Sequence, residues 1–323
     1  MHALHDVFAP YGPQAGEVRA LWLLTLVVCL IVFAAVLAAL AIALWRAPRS
    51  GSDARSAPDL SGLRRPEPGT RRSVVAAVVA STLLLLVLIV ASVFTDRALA
   101  RLSTEGALRL EVTAHQWWWE VRYVEPQVAD NFITANEIHV PTGRPVIVTL
   151  KADDVIHSFW VPSLAGKKDL IPGRTSTFHF RADHDGVYRG QCAEFCGFQH
   201  ALMAFFVVAD PPERYADWAA AQRHSASDAL DEQQLRGRSV FLRSSCAMCH
   251  AIDGTSAQAV RGPNLTHVAS RGTLAAGALA NTPEDLKRWI ADPQKIKPGT
   301  NMPASALSSE DMDALVGFLQ ALR

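Results

Sequence analysis

QCAEFCGFQHALMAFF, residues 191–206, sets two cysteines four positions apart, with a histidine four further on and a methionine three beyond that. Thiolate, imidazole and thioether are soft donors, and together they select copper over calcium or magnesium. Zinc more naturally takes Cys and His without Met. A single-copper electron-transfer site uses one Cys, two His and a weak Met, so Cys192 and Cys196 leave one thiolate over. Two copper ions bridged by both thiolates would use it. Each copper then needs its own imidazole. His200 supplies one, and His157, 35 residues before Cys192 in the run DVIHSF (154–159), stands on a predicted strand that could lie alongside. A disulfide between Cys192 and Cys196 is the alternative in an oxidising compartment; it leaves His200 and Met203 without a role.

Working outward, short runs such as LRLEV, PVIVTLK, TFHF and FFVV alternate with Pro-Thr-Gly, Pro-Gly-Arg and Asp-His-Asp-Gly turn signals between Leu108 and Val208. That spacing predicts an antiparallel β-sandwich or barrel over residues 103–210. Ahead of it the chain is apolar. Ala20–Trp45 is 26 residues without a charge, and Val74–Phe94 adds another 21. About 20 such residues span a bilayer as a helix, so 20–45 and 74–94 read as a transmembrane pair with membrane lipid around them. Buried core helices are the alternative. Residues 46–73 hold seven Arg against three acids, while the segment before the first helix has one Arg and no Lys. This bias puts the loop in the cytoplasm and both termini outside. The 19 residues before the first helix do not resemble a signal peptide. Formal charge is zero over 323 residues and no basic tract occurs, which argues against nucleic acid as a partner.

Beyond the β region, Pro211–Ser227 reads as a partly helical linker, and from Asp228 the signals are helical. Thr282-Pro283-Glu284-Asp285 and Ser308 with Asp311 are helix starts. Met312, Leu315, Val316, Leu319 and Leu322 share one face of the last helix. Cys246-Ala247-Met248-Cys249-His250 is CxxCH, the signature of covalent c-type haem attachment, with His250 placed to ligate the iron. A thioredoxin-like CxxC is the alternative, but the βαβ pattern is missing. The sixth ligand has three candidates: Met302 in the irregular KPGTNMP loop, Met312 on the apolar helix face, and His267. Methionine raises the haem potential, and the loop favours Met302. The fifth cysteine, Cys29, lies in the first apolar helix as a small hydrophobe.

Residues 10–210 resemble subunit II of the haem–copper cytochrome c oxidases, through Cys192, Glu194, Cys196, His200 and Met203 and through DVIHSF. Residues 232–323 resemble a class I cytochrome c, through Gly237, Phe241, CAMCH, Gly262-Pro263-Asn264-Leu265 and Met302. The resemblance implies a multi-domain membrane protein: an N-terminal segment and transmembrane hairpin (1–102), a cupredoxin-like all-β barrel (103–210), a linker (211–227) and an all-α cytochrome c domain (228–323). It implies a dinuclear CuA centre bridged by Cys192 and Cys196, with His157 and His200 terminal, Met203 weak and the Glu194 carbonyl contributing. The Glu194 carboxylate is implied to help bind magnesium at the interface with subunit I. In AHQWWWEVRY (114–123), Trp117 matches the residue where electrons enter, while Trp118 and Trp119 read as barrel core or rim. LAGKKDLIPGR (164–174) matches the segment facing subunit I; Lys167 and Asp169 are solvated or interface charges.

The same resemblance implies electron flow from haem c to CuA and on to haem a of subunit I, which reduces oxygen and pumps protons. It implies subunits I and III as partners, a soluble or membrane-bound cytochrome as donor, and a bacterial inner-membrane location with the redox domains periplasmic. No constellation in this chain reads as general acid, base or nucleophile. A quinol oxidase subunit II shares the topology but lacks the copper ligands. A copper-delivery protein would need neither covalent haem nor the DVIHSF strand. Nitrous oxide reductase also has a CuA domain, without this two-helix anchor.

Overall fold

The structure is a computed structural model and describes residues 4–47, 68–225 and 231–323. Most of the Arg-rich loop and the expected boundary at residue 228 lie outside these residues. Two compact units divide the chain: Glu17–Leu102, and a second made of Met1–Gly16 with Ser103–Arg323. The first is built on α1 (Pro13–Arg46) and α2 (Pro68–Ala100). Leu, Val and Ile are exposed along both helices. A helix that is apolar all round needs lipid or protein cover, and both are long and apolar enough to cross a membrane.

In the second unit, residues 108–210 form ten strands in two five-stranded sheets: β1 (Leu108–His115), β2 (Trp118–Tyr123), β3 (Phe132–Ala135), β4 (Glu137–Pro141), β5 (Val146–Ala152), β6 (His157–Trp160), β7 (Lys167–Leu170), β8 (Ser176–Phe180), β9 (Gly186–Cys192) and β10 (Ala204–Asp210). The sheet orders are β3-β2-β1-β5-β8 and β4-β10-β9-β6-β7. Alternate residues face inward, as a half-buried strand requires: Leu108, Leu110, Val112 and Ala114 from β1 meet Val146, Val148 and Leu150 from β5 in the shared core. The antiparallel expectation is only partly met, because β1 pairs with β5, and β4 with β10, in parallel. The chain leaves one sheet after β3 and returns to it at β5, so these partners run the same way; turn residues carry no information about such crossovers.

Two segments outside the strands complete this core. Residues 4–15 lie along its edge, with the Leu4 N–H donating to Val187 O at 2.7 Å and the Tyr11 N–H to Ser163 O at 2.7 Å. Residues 212–222 form α3 (Pro212–Gln222), and its Tyr215 and Ala219 are buried among the β-sheet residues.

The C-terminal part is helical: α4 (Glu232–Arg243), α5 (Pro283–Ala291), α6 (Pro293–Ile296) and α7 (Ser309–Ala321). Thr282 and Ser308 accept backbone N–H bonds from the third residue on, as the sequence predicts, and Asp231 with Gln234 forms a full capping box for α4. The helices α4 and α7 cross at Gly237, where a Cβ would fall on the Ala314 carbonyl and press on Phe318. Forcing atoms into a packed contact typically costs about 1–3 kcal/mol. Gly237→Ala is therefore expected to lower stability by about that amount, read as a fall in the unfolding midpoint of the helical part.

Candidate metal centre and haem pocket

The strand β6 opens at His157 and β9 closes at Cys192, and the two strands pair with Phe159 opposite Cys192. The loop 193–203 then carries Cys196, His200 and Met203 before β10 begins. This brings the donors of His157, Cys192 and Cys196 within 4.8 Å of one another. Cys196 Sγ lies 3.8 Å from His200 Nδ1 and 3.8 Å from Met203 Sδ, and Cys192 Sγ lies 3.9 Å from His157 Nδ1. The Cys192 thiol donates to Glu194 O at 3.1 Å. His157, Cys192, Cys196 and Met203 are at most 2% exposed, and all five cysteines are free thiols.

The surroundings fit a soft metal. Asp154 Oδ1 sits 2.7 Å from His157 Nε2, which leaves Nδ1 as the lone pair facing the sulfurs; a carboxylate behind a ligating His fixes its tautomer in this way. Burial pushes the His157 imidazole down, but its bonds to Asp154 and Cys192 outweigh this and raise it. The hydrogen bond between the two thiols holds Cys192 well below the usual thiol range and drives Cys196 above it. Cys192 is thereby the readier of the two to give up its proton, and a cation bound by both sulfurs would release protons from the pair. The Glu194 side chain is exposed, and among the described residues no cluster of hard donors forms around it.

A cavity of about 610 Å³ opens beside CAMCH. Cys246, Cys249 and His250 line it, and so does Met302. His250 Nδ1 is 2.7 Å from Pro263 O, which directs Nε2 away from that carbonyl. Burial lowers the His250 pKa, keeping the ring neutral and able to ligate. Gly262 is required here, since a Cβ would lie 2.7 Å from the His250 ring. Arg271 also lines the cavity, and its buried Nε has no partner among the described residues. Buried donors left open call for an acceptor, and an anionic cofactor edge would serve. Burial lowers the Arg271 pKa to about 10, so it stays cationic. The rival sixth ligands are engaged elsewhere. Met312 is buried in the helical core, and both ring nitrogens of His267 face carbonyls, those of Arg323 and His224.

The two sites share a border. Trp117 and Gln116 line the haem-side cavity, and both side chains donate to Cys196 O, at 2.9 and 2.8 Å. Trp119 is fully buried, in keeping with a core role, and Lys167 and Asp169 are exposed. Sequence reasoning missed Asp154, Gln116, Arg271, Lys297 and Asn301. Asp154, three residues before His157, was the one with a signal: a carboxylate in reach of a ligating imidazole.

Comparison with known proteins gives two domain matches. Residues 127–210 match the family described as cytochrome c oxidase subunit II, periplasmic domain, and residues 234–323 match cytochrome c. The chain is 40% identical over 220 residues to cytochrome c oxidase subunit 2 of Alkalihalophilus pseudofirmus, a match covering 68% of this chain and 62% of that protein. It is 34% identical over 230 residues to the Bacillus subtilis protein of the same name, covering 68% and 63%. The chain thus spans under two thirds of these relatives' length. Among solved structures, the periplasmic domain of subunit II of cytochrome oxidase from Bradyrhizobium japonicum aligns with 29% identity and a TM-score of 0.35, over 38% of this chain and 97% of that one. Residues 127–210, within the cupredoxin-like β-sheets, thus belong to the family of cytochrome c oxidase subunit II periplasmic domains, and residues 234–323 to the cytochrome c family.

Proposed function

We propose that the chain receives electrons at a covalently bound haem c and passes them through a dinuclear CuA centre to haem a of subunit I, for reduction of oxygen to water coupled to proton pumping. The observation that carries this reading is that the His157–Cys192–Cys196 cluster and the cavity beside Cys246, Cys249 and His250 lie in one folded unit and border on each other at Gln116 and Trp117. Bound there, the copper and haem groups supply one-electron redox chemistry. The chain's own residues hold, orient and dry them. Cys192 and Cys196 would bridge the coppers, His157 and His200 would cap them, and Met203 and the Glu194 carbonyl would be weak ligands. Cys246 and Cys249 would bind the haem covalently, with His250 and Met302 on its iron. Trp117 marks the point of electron arrival in the β domain.

The Glu194 carboxylate, free of partners from the copper loop, would serve magnesium where subunit I docks. The two apolar helices would anchor the chain in a bacterial inner membrane, with both termini and the redox domains on the periplasmic side. Subunits I and III would be its neighbours, and a separate soluble or membrane-bound cytochrome would supply electrons to haem c.

Charge supports transfer within one chain. Residues 103–210 carry nine Lys or Arg against thirteen Asp or Glu, while residues 225–323 carry ten of each. A near-neutral cytochrome domain gains little from steering, which salt would screen over about 8–10 Å. Haem c oxidation after a flash is expected to be first-order, independent of protein concentration and nearly flat with ionic strength. A rate that rises with protein concentration or falls steeply with salt rules out this domain as the immediate donor to its own copper site.

A further inference from the structure

The inference rests on the subunit II reading and concerns how the two domains are joined. Lys297, just past α6, is 2% exposed. Among the described residues it pairs with carbonyls and no carboxylate: its Nζ donates to Trp117 O at 3.0 Å and Ala275 O at 3.2 Å. Burial lowers its pKa to about 8. A buried ammonium is expensive unless its protons are bonded, so this lysine holds its two carbonyls firmly. Four residues on, Asn301 Nδ2 donates to Gln116 O at 3.1 Å.

On the far side of the same corner, Gln116 Nε2 and Trp117 Nε1 converge on one acceptor, Cys196 O, at 2.8 and 2.9 Å. Two branches therefore leave the loop that ends at Met302. One runs Asn301–Gln116–Cys196, the other Lys297–Trp117–Cys196. Electronic coupling falls steeply across a van der Waals gap and more slowly along covalent and hydrogen bonds.

We propose that Lys297 and Asn301 are positioning residues that seat the Met302 loop on the Gln116–Trp117 corner and complete two hydrogen-bonded routes for the electron to the Cys196 carbonyl. With both groups bound, the transfer would take one electron from the haem, which would be oxidised, to the copper centre, which would be reduced. No bond breaks and no proton moves.

The test uses the assembled oxidase with Asn301→Leu and Lys297→Met. Asn301 is exposed, so its replacement leaves folding intact even if Lys297→Met does not fold. Four quantities are read: the single-turnover rate of haem c oxidation, both midpoint potentials, the copper and haem spectra, and amide exchange at residues 116–117. Each variant is expected to slow the transfer about 10-fold or more, as loss of outer hydrogen-bond partners commonly does, with potentials and spectra unchanged. Lys297→Met is also expected to speed amide exchange at 116–117. Wild-type rates in a correctly loaded Asn301→Leu protein overturn the proposal, as does a slowing accounted for by a shifted potential. A wild-type chain without copper or haem spectra instead overturns the subunit II reading itself.

Discussion

Cys192→Ser is expected to abolish the dinuclear copper centre. Serine keeps the size of cysteine but replaces a soft thiolate with a hard, protonated hydroxyl, and soft donors are what select copper here. The bridge needs both sulfurs, so the expected outcome is loss of the delocalised near-infrared band and of the mixed-valence electron-spin signal, with copper content falling from two per chain. Haem c remains reducible but is no longer drained, so its oxidation in the assembled oxidase falls to the background rate. Asp154→Asn tests the support behind His157. An amide can still meet Nε2, but without the charge that fixes the tautomer, and a loss of about 10- to 100-fold in copper affinity follows. One copper or one zinc per wild-type chain would falsify the dicopper assignment.

Met302→Ala is expected to remove the weak thioether-to-iron band at the red end of the haem spectrum and to lower the haem c potential, since methionine ligation raises it. Met312→Ala separates a ligand from a core residue. Met312 is 5% exposed and packs with Leu315 and Leu319. Its truncation is expected to cost about 2–5 kcal/mol of stability while the band survives. If the band vanishes in the Met312 variant and persists in the Met302 variant, the axial assignment is reversed.

The parts of this molecule that were legible in its sequence are those that one stretch of chain decides. Cys192, Cys196, His200 and Met203 lie within one loop, and strand alternation and helix caps are local rules of backbone and side chain. His157 was reachable because its donor type was missing from that loop. The parallel pairing of β1 with β5 was not legible, since alternation looks the same in either direction. Nor were the bonds from Lys297 to Trp117 and from Asn301 to Gln116, which join residues 180 and 185 positions apart. A lysine in KPGTNMP reads as a solvated charge until another domain covers it. Likewise Glu137 opens the strand β4, yet its carboxylate receives the Gly272 N–H of the helical part at 2.8 Å.

The helix α3, rooted by Tyr215 and Ala219 in the β-sheet core, sets the length of a leash. Only the residues between Gln222 and Glu232 separate that fixed point from the first helix of the cytochrome domain. At no more than about 3.3–3.6 Å per residue, a cytochrome domain that let go of its seat could not drift beyond about 35 Å. Confinement of that kind holds a group at roughly millimolar local concentration. A free cytochrome competing for the Gln116–Trp117 corner would have to reach that concentration to win, so the vacant seat is refilled by its own tenant, and outside donors are left to deal with the haem.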